Sequence, residues 1–366
     1  MYLCFLYVII PPRGDVVMTN ISQIDSNFKI ESKINESNIK FHDVNQPPFQ
    51  IHGVFYDAGK FRRLPEDVAK TVSDGVLALH GHTAGGRVRF VTDSPYVAIY
   101  AQMPSVGKMP HFALTGSAGF DIYIREETER YFRTFVPPVD MNDGYEGIHY
   151  FECAGMREIT INFPLYSQVG KLYIGLQEGA FIGAPQNYKI DKPIVYYGSS
   201  ITQGGCVSRP GNSYESIISR RLDADYINLG FSGNAKGEPE IAEYISKLDM
   251  SCFVYDYDYN APTVEHLSNT HQKMYNVIRE ANPNLPIVVM SRPKYYLTEE
   301  EKQRLAVIVK TYEDAKANGD RNVYFIDGRT LMALAKNDGT VDNCHPNDWG
   351  FASMAKAVGD LLEKIM

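Results

Sequence analysis

The spacing of apolar residues changes once along this chain, near residue 193. Before that point, short runs alternate apolar and polar positions: 87–92 (RVRFVT), 96–101 (YVAIYA), 120–124 (FDIYI), 131–136 (YFRTFV), 158–163 (EITINF) and 171–176 (KLYIGL). Gly, Pro and Asp separate them. Alternation with a period of two places every second side chain on one face of a strand. Evenly spaced short strands with turn residues, and almost no helical period, predict an all-β, jelly-roll-like sandwich. After residue 193, strand-like apolar runs are predicted over 194–197, 226–231, 252–257, 285–290 and 323–327. Between and after them, helical spacing predicts helices over 213–222, 238–248, 264–281, 298–318 and 349–366. Strands that alternate with helices require a parallel sheet covered on both faces.

The N-terminal stretch fits neither pattern. Residues 1–10 are apolar and end at Pro11-Pro12-Arg13-Gly14, which is too short a run to span a bilayer. The run also lacks the basic segment and cleavage site of a secretory signal, and Met18 offers an alternative start. Residues 19–40 are polar and weakly periodic, as an arm or linker would be. The expected division is therefore an extension over 1–45, a β-sandwich over 46–188 and an α/β/α domain over 189–366.

Composition narrows the function. The chain has 366 residues, enough for two cores, with globular values of 44% hydrophobic and 22% charged residues. A net charge of -8 without a long Lys/Arg run argues against a nucleic-acid partner. The 25 Tyr and 18 Phe suit β-rich structure, and some of those in the first domain could stack on sugars. The cysteines (Cys4, Cys153, Cys206, Cys252, Cys344) are odd in number and form no CxxC pair, so neither a disulfide framework nor a zinc site is signalled. Free thiols favour a reducing, cytoplasmic compartment. Cys206 and Cys344 flank the two candidate catalytic segments and read as packed thiols.

The candidate chemistry lies where the predicted strands end, which is where open α/β sheets bind ligands. Ser199 and Ser200 follow the first strand, at a turn into a helix whose N-terminus could stabilise negative charge. Gly233 follows the second; without a side chain, it lets a substrate approach its N–H. Asn260 follows the third and carries an amide donor. Late in the chain, Asp342-Asn343-Cys344-His345 places an acid three residues before a histidine, close enough to bond its Nδ1–H and leave Nε2 for a serine proton. Arg209 and Arg292 are candidate contacts for a polar substrate. The turn at 198–205 contains no Gly-Lys-Ser/Thr, so a phosphate-binding loop is not supported.

In this order, the blocks around Ser200, Gly233, Asn260 and Asp342-x-x-His345 resemble the SGNH (GDSL-type) hydrolases. The run Gly119-Phe120-Asp121-Ile122-Tyr123 is similar to the Gly-x-Asp-Leu-Tyr motif of the β-domain found before such enzymes. The resemblance covers residues from about 46 to 366. It implies a flavodoxin-like three-layer domain, a triad of Ser200, His345 and Asp342, and an oxyanion hole made by Ser200, Gly233 and Asn260. Ser199 stands where the family has Asp, which raises the question of which serine attacks. The block around Asn260 lacks the family's Gly and its following Asp. The implied activity is hydrolysis of short acyl esters, acetyl-like, on a carbohydrate or other small alcohol, with no cofactor and no metal. Acyl transfer by the same triad, and an inactive carbohydrate-binding protein, are the alternatives.

Overall fold

The computed structural model describes residues 32–127 and 129–366. The apolar run at 1–10, the alternative start Met18, Cys4 and most of the expected extension lie outside the described residues.

Two antiparallel sheets form the sandwich. One pairs Ile39–Asp43, Lys171–Gln177, Tyr96–Gln102 and Gly144–Tyr150 in that order. The other runs Ile182–Gly183, Arg87–Thr92, Arg157–Asn162, Phe120–Arg125 and Glu129–Phe135, with Gln50–His52 beside Arg87–Thr92. Alternate residues such as Val88, Phe90, Ile122, Ile159, Ile161 and Ile174 turn inward and fill the space between the sheets. Ile39–Asp43 falls inside the stretch expected to be linker. Its five residues pair with Lys171–Gln177, so the sandwich begins earlier than its sequence pattern suggests. The strand Gly144–Tyr150 and the short helices Glu66–Val72 and Asp74–Leu79 were not foreseen. Leu64, Ala69 and Val76, in and beside those helices, join the core of the following domain.

That following domain is a five-stranded parallel sheet. In chain order its strands are Ile190–Gly198, Ala224–Gly230, Cys252–Asp256, Ile287–Met290 and Val323–Ile326. In space the second lies outside the first, giving the order 2-1-3-4-5 of flavodoxin-like sheets. The predicted helices appear as Tyr214–Leu222, Pro239–Ser246, Val264–Ala281, Glu299–Ala317 and Asp348–Ile365. Their starts are set by side chains. Thr263 accepts from the His266 N–H, Thr298 and Glu301 form a reciprocal capping box, and Asn347 accepts from Trp349 and Gly350. No described helix is long and apolar enough to cross a membrane.

Candidate active site

The strand Ile190–Gly198 delivers the serine pair. Gly198 allows the chain to pass between neighbours, since a Cβ there would lie 2.3 Å from the Asp256 carbonyl oxygen. Residues 199–206 are successive turns, and the helix expected over 213–222 follows at Tyr214–Leu222, capped by Ser213. The two serines are distinct. Ser199 is fully buried, and its Oγ accepts the N–H of Ile201 at 3.1 Å, which makes it the turn's local cap. The Ser200 Oγ faces His345 Nε2 at 2.9 Å.

His345 lies on a loop closed by the Val341 N–H to His345 carbonyl bond (2.9 Å), just before the capped final helix. Its Nδ1–H donates to Asp342 Oδ2 at 2.7 Å, leaving Nε2 as the acceptor for the Ser200 hydroxyl. Asp342 Oδ1 accepts the backbone N–H groups of Cys344 (3.0 Å) and His345 (2.7 Å). Partial burial pushes the Asp342 carboxyl up, but these hydrogen bonds and the imidazole outweigh it and hold the group below the usual aspartate range.

The loop after the second strand is tied to the serine turn. The Phe231 N–H donates to the Gly198 carbonyl at 2.8 Å, and the Asn260 amide donates to the Phe231 carbonyl at 2.9 Å. This brings the Gly233 and Asn260 blocks against the Ser200 block. Gly233 adopts φ +70° with open space where a Cβ would stand. Among the described residues, no protein acceptor takes the Ser200 or Gly233 N–H.

The β-sandwich supplies groups that sequence reasoning missed. The Tyr166 hydroxyl donates to the Ser200 carbonyl at 3.0 Å. Gln203 Nε2 donates to the Leu165 carbonyl (3.2 Å) and to His82 Nδ1 (3.1 Å), while its Oε1 accepts the Ser232 N–H (3.0 Å). Those partners permit one amide orientation. Burial and the nearby Arg63 push His82 down to about 3, so it stays neutral and accepts. The buried Arg63 guanidinium donates to the carbonyls of His82 (2.7 Å), Leu79 (3.1 Å), Asn228 (3.1 Å) and Gly230 (2.7 Å). Its burial lowers it to about 9, still charged at neutral pH. Arg63 thus secures the end of the strand that leads to Gly233. Tyr166, His82 and Arg63 sit in no recognisable spacing, because each acts from a loop of the other domain, and Gln203 answers His82 and Leu165 from the serine turn.

Arg209 and Arg292, the candidate substrate contacts, are both engaged by carboxylates. Arg209 donates to Asp121 Oδ2 at 3.0 Å, and its guanidinium stacks over Tyr131. Arg292 grips Asp258 through two 2.9 Å bonds and reaches Glu301 at 3.1 Å. With Arg304, which bonds the Asp258 and Ala261 carbonyls, it fixes the loop that carries Asn260. Glu238, at the start of the helix Pro239–Ser246, makes no side-chain cap bond and accepts from the Tyr197 hydroxyl at 3.0 Å.

Cys206, Cys252 and Cys344 form no disulfide. Burial, together with the Asp342 charge, pushes the Cys206 thiol up to about 12 and the Cys344 thiol to about 11. As protonated thiols they do not rival Ser200 as nucleophile. A roomy cavity of about 870 Å³ lies on the sandwich, lined by Tyr100, Met103 and Tyr145 among others, and includes no residue of the Ser200 cluster.

Comparison with known proteins places this architecture. Residues 191–363 match the family model of GDSL-like lipases and acylhydrolases, and residues 39–182 match that of the GxDLY N-terminus of SGNH-hydrolase-type esterases. A protein assigned as a GDSL-like lipase from Bacteroides ovatus is 27% identical, with TM-score 0.81 over 90% of this chain and 98% of that one. The salicylyl-acyltransferase SsfX3 of a tetracycline biosynthetic pathway is 20% identical, with TM-score 0.73 over 90% and 99%. The acetyl xylan esterase Est2A from Butyrivibrio proteoclasticus is 12% identical, with TM-score 0.59 over 90% and 98%. No curated protein sequence matches significantly. Fold and family matches define a hydrolase of ester bonds. By these matches, residues 191–363 form a GDSL-like lipase/acylhydrolase domain, preceded over 39–182 by a β-domain of the type found at the N-terminus of SGNH-hydrolase-type esterases.

Proposed function

We propose that this protein is a serine esterase that removes short, acetyl-like acyl groups from a carbohydrate or similar polar alcohol. The observation that carries the mechanism is the continuous relay from Ser200 through His345 to Asp342. As Ser200 Oγ attacks the ester carbonyl, its proton passes to His345 Nε2. The ionised Asp342 stabilises the imidazolium and fixes its tautomer. The unspent N–H groups of Ser200 and Gly233, with the second amide hydrogen of Asn260, would hold the oxyanion. Losing one such donor typically costs about 10²–10³ in rate. His345 then protonates the departing alcohol, and water, activated by the same imidazole, releases the acid and restores Ser200.

The fold shared with an acetyl xylan esterase supports the carbohydrate ester as substrate class. The higher similarity to an acyltransferase favours a second reading, in which an alcohol replaces water at deacylation. The test is hydrolysis of p-nitrophenyl acetate, longer acyl homologues and acetylated xylo-oligosaccharides. Wild type is compared with Ser200→Ala, His345→Ala and Asp342→Asn. Loss of turnover in the first two, with Asp342→Asn lower by about 10²–10⁴, is expected. Retained turnover in Ser200→Ala would move the nucleophile elsewhere. An added alcohol that diverts acyl groups from water would select the transferase reading. Glycan binding without turnover, unchanged in Ser200→Ala, would select the inactive binding protein.

A further inference from the structure

The sandwich places one more histidine at the site. His111, exposed on a loop of the β-domain, has its ring 5.6 Å from that of His345, inclined at 49°. Cys206 approaches the same point from the serine turn. One ligand atom from each of His111, Cys206 and His345 lies within 4.8 Å of the other two. Cys206 is held there with φ +86°, a left-handed conformation that costs a residue with a Cβ on the order of 1 kcal/mol or more. The flanking bonds, Gly205 N–H to the Ser200 carbonyl (2.8 Å) and Val207 N–H to the Gly204 carbonyl (3.3 Å), keep the turn in that shape.

From this geometry we propose that His111, Cys206 and His345 form a site for a thiophilic divalent cation, with Zn²⁺ as the best match, and that its occupancy switches the esterase off. Two imidazoles and one thiolate, with water in the fourth position, make a mixed nitrogen and sulfur set that tetrahedral zinc accepts, although the same donors also suit copper. Zn–S of about 2.3 Å and Zn–N of about 2.0–2.1 Å put the ligand atoms roughly 3.3–3.7 Å apart. Closing from 4.8 Å asks for about an ångström of movement, within reach of an exposed His111 side chain. The second shell is already present. Asp342 holds His345 Nδ1–H at 2.7 Å, the carboxylate–histidine arrangement that aims Nε2 at a metal.

The exchange balances simply. His345 Nε2 breaks its hydrogen bond to the Ser200 hydroxyl and gives its lone pair to the cation. A neutral His111 nitrogen gives another, and the Cys206 thiol forms the third bond as it releases its proton to solvent. Ser200 is left with its proton and no base. This goes beyond the esterase reading, and it is tested apart from turnover.

The probes are CoCl₂ and ZnCl₂ alone, titrated into the Ser200→Ala protein and into wild type. Co²⁺ bound to a thiolate shows a ligand-to-metal charge-transfer band in the near ultraviolet. We expect that band to saturate at one equivalent in Ser200→Ala and to be bleached by Zn²⁺. It should disappear in Cys206→Ala, persist in Cys344→Ala, and need at least tenfold more metal in His111→Ala. Esterase turnover in wild type should fall over the same Zn²⁺ range and return with a chelator. Absence of a stoichiometric band in the otherwise intact Ser200→Ala protein would overturn the proposal without touching the esterase assignment. So would a band that survives Cys206→Ala, or one removed by Cys344→Ala instead. Thermal melts without metal identify any variant that fails to fold, and the Ser200→Ala and wild-type titrations decide the matter independently of those variants.

Discussion

Tyr166, a residue of the β-sandwich, donates its hydroxyl to the backbone carbonyl of Ser200 at 3.0 Å. The Ser200 turn is therefore held from both domains. That carbonyl also accepts the Gly205 N–H at 2.8 Å, so it retains one partner when the phenol is lost. Tyr166→Phe should lower kcat by about three- to tenfold with KM little changed. It should reduce stability by about 1 kcal/mol, the usual net value of one hydrogen bond. Steady-state kinetics and urea unfolding check this; an unaltered kcat would mean the turn holds its shape unaided.

Gln203 has a more demanding role, because its amide joins two backbone groups and the His82 ring. Replacing it by Leu leaves the Ser232 N–H without its acceptor and the Leu165 carbonyl without its donor. Ser232 immediately precedes Gly233, so the consequence should fall on the oxyanion loop. Gln203→Leu is expected to reduce kcat by about 10- to 100-fold while changing KM less than about threefold, the sign of an interaction strengthened in the transition state. A rise in KM with kcat unchanged would instead make Gln203 a determinant of substrate binding.

How much of this was visible in sequence depends on whether a residue acts locally. The helix at 264–281 and the strand at 87–92 were legible to the residue, because periodicity within one segment defines them. The blocks around Ser200, Gly233, Asn260 and His345 were also legible, since strand ends in a parallel sheet converge whatever fills the loops. Arg63, His82 and Tyr166 were not. Their importance comes from docking one domain on another, and no spacing records that. The serine turn was legible only in its ends: the strand before it and the helix after it are periodic, whereas the 13 residues between Ser200 and Tyr214 pack as successive turns and a short 3-10 segment that no period records. Arg209 and Arg292 could be singled out in sequence but their partners could not, because Asp121 and Asp258 are brought to them only by the fold.

The Gly-x-Asp motif is legible in sequence and acquires its physical reason only from the interface. Asp121 is fully buried; its Oδ2 accepts Arg209 Nη1 at 3.0 Å and the Gly211 N–H at 2.9 Å, and its Oδ1 accepts the Asn162 amide at 2.8 Å. Asp121→Ala removes the carboxylate partner that Arg209 has among the described residues and strands two further donors, which should cost about 3–5 kcal/mol. Unfolding by urea measures the loss. If the variant is within 1 kcal/mol of wild type, the motif is not what fastens the domains.

Asp256 ends the third strand, 1% exposed, and among the described residues neither carboxyl oxygen has a well-formed hydrogen bond, only the Asp258 backbone coming near. Burial, with the neighbouring Asp258 charge, pushes its carboxyl up to about 8. In the unfolded chain it titrates near 3.8, so between these values folding takes up a proton. Below the lower value both states are protonated and nothing is lost. As pH rises through the window, this one group lowers the folding constant by up to tenfold per pH unit, and the loss levels off above the folded value. Asp256→Asn keeps the shape of the neutral acid and cannot ionise. Its stability relative to wild type should therefore climb steadily from pH 4 to pH 8, a trend opposite in sign to that of an aspartate held by a salt bridge. Parallel urea titrations at several pH values read the difference directly. A difference that stays flat across the window would show that Asp256 ionises as freely in the folded protein as in the unfolded chain, with Arg292 compensating its burial.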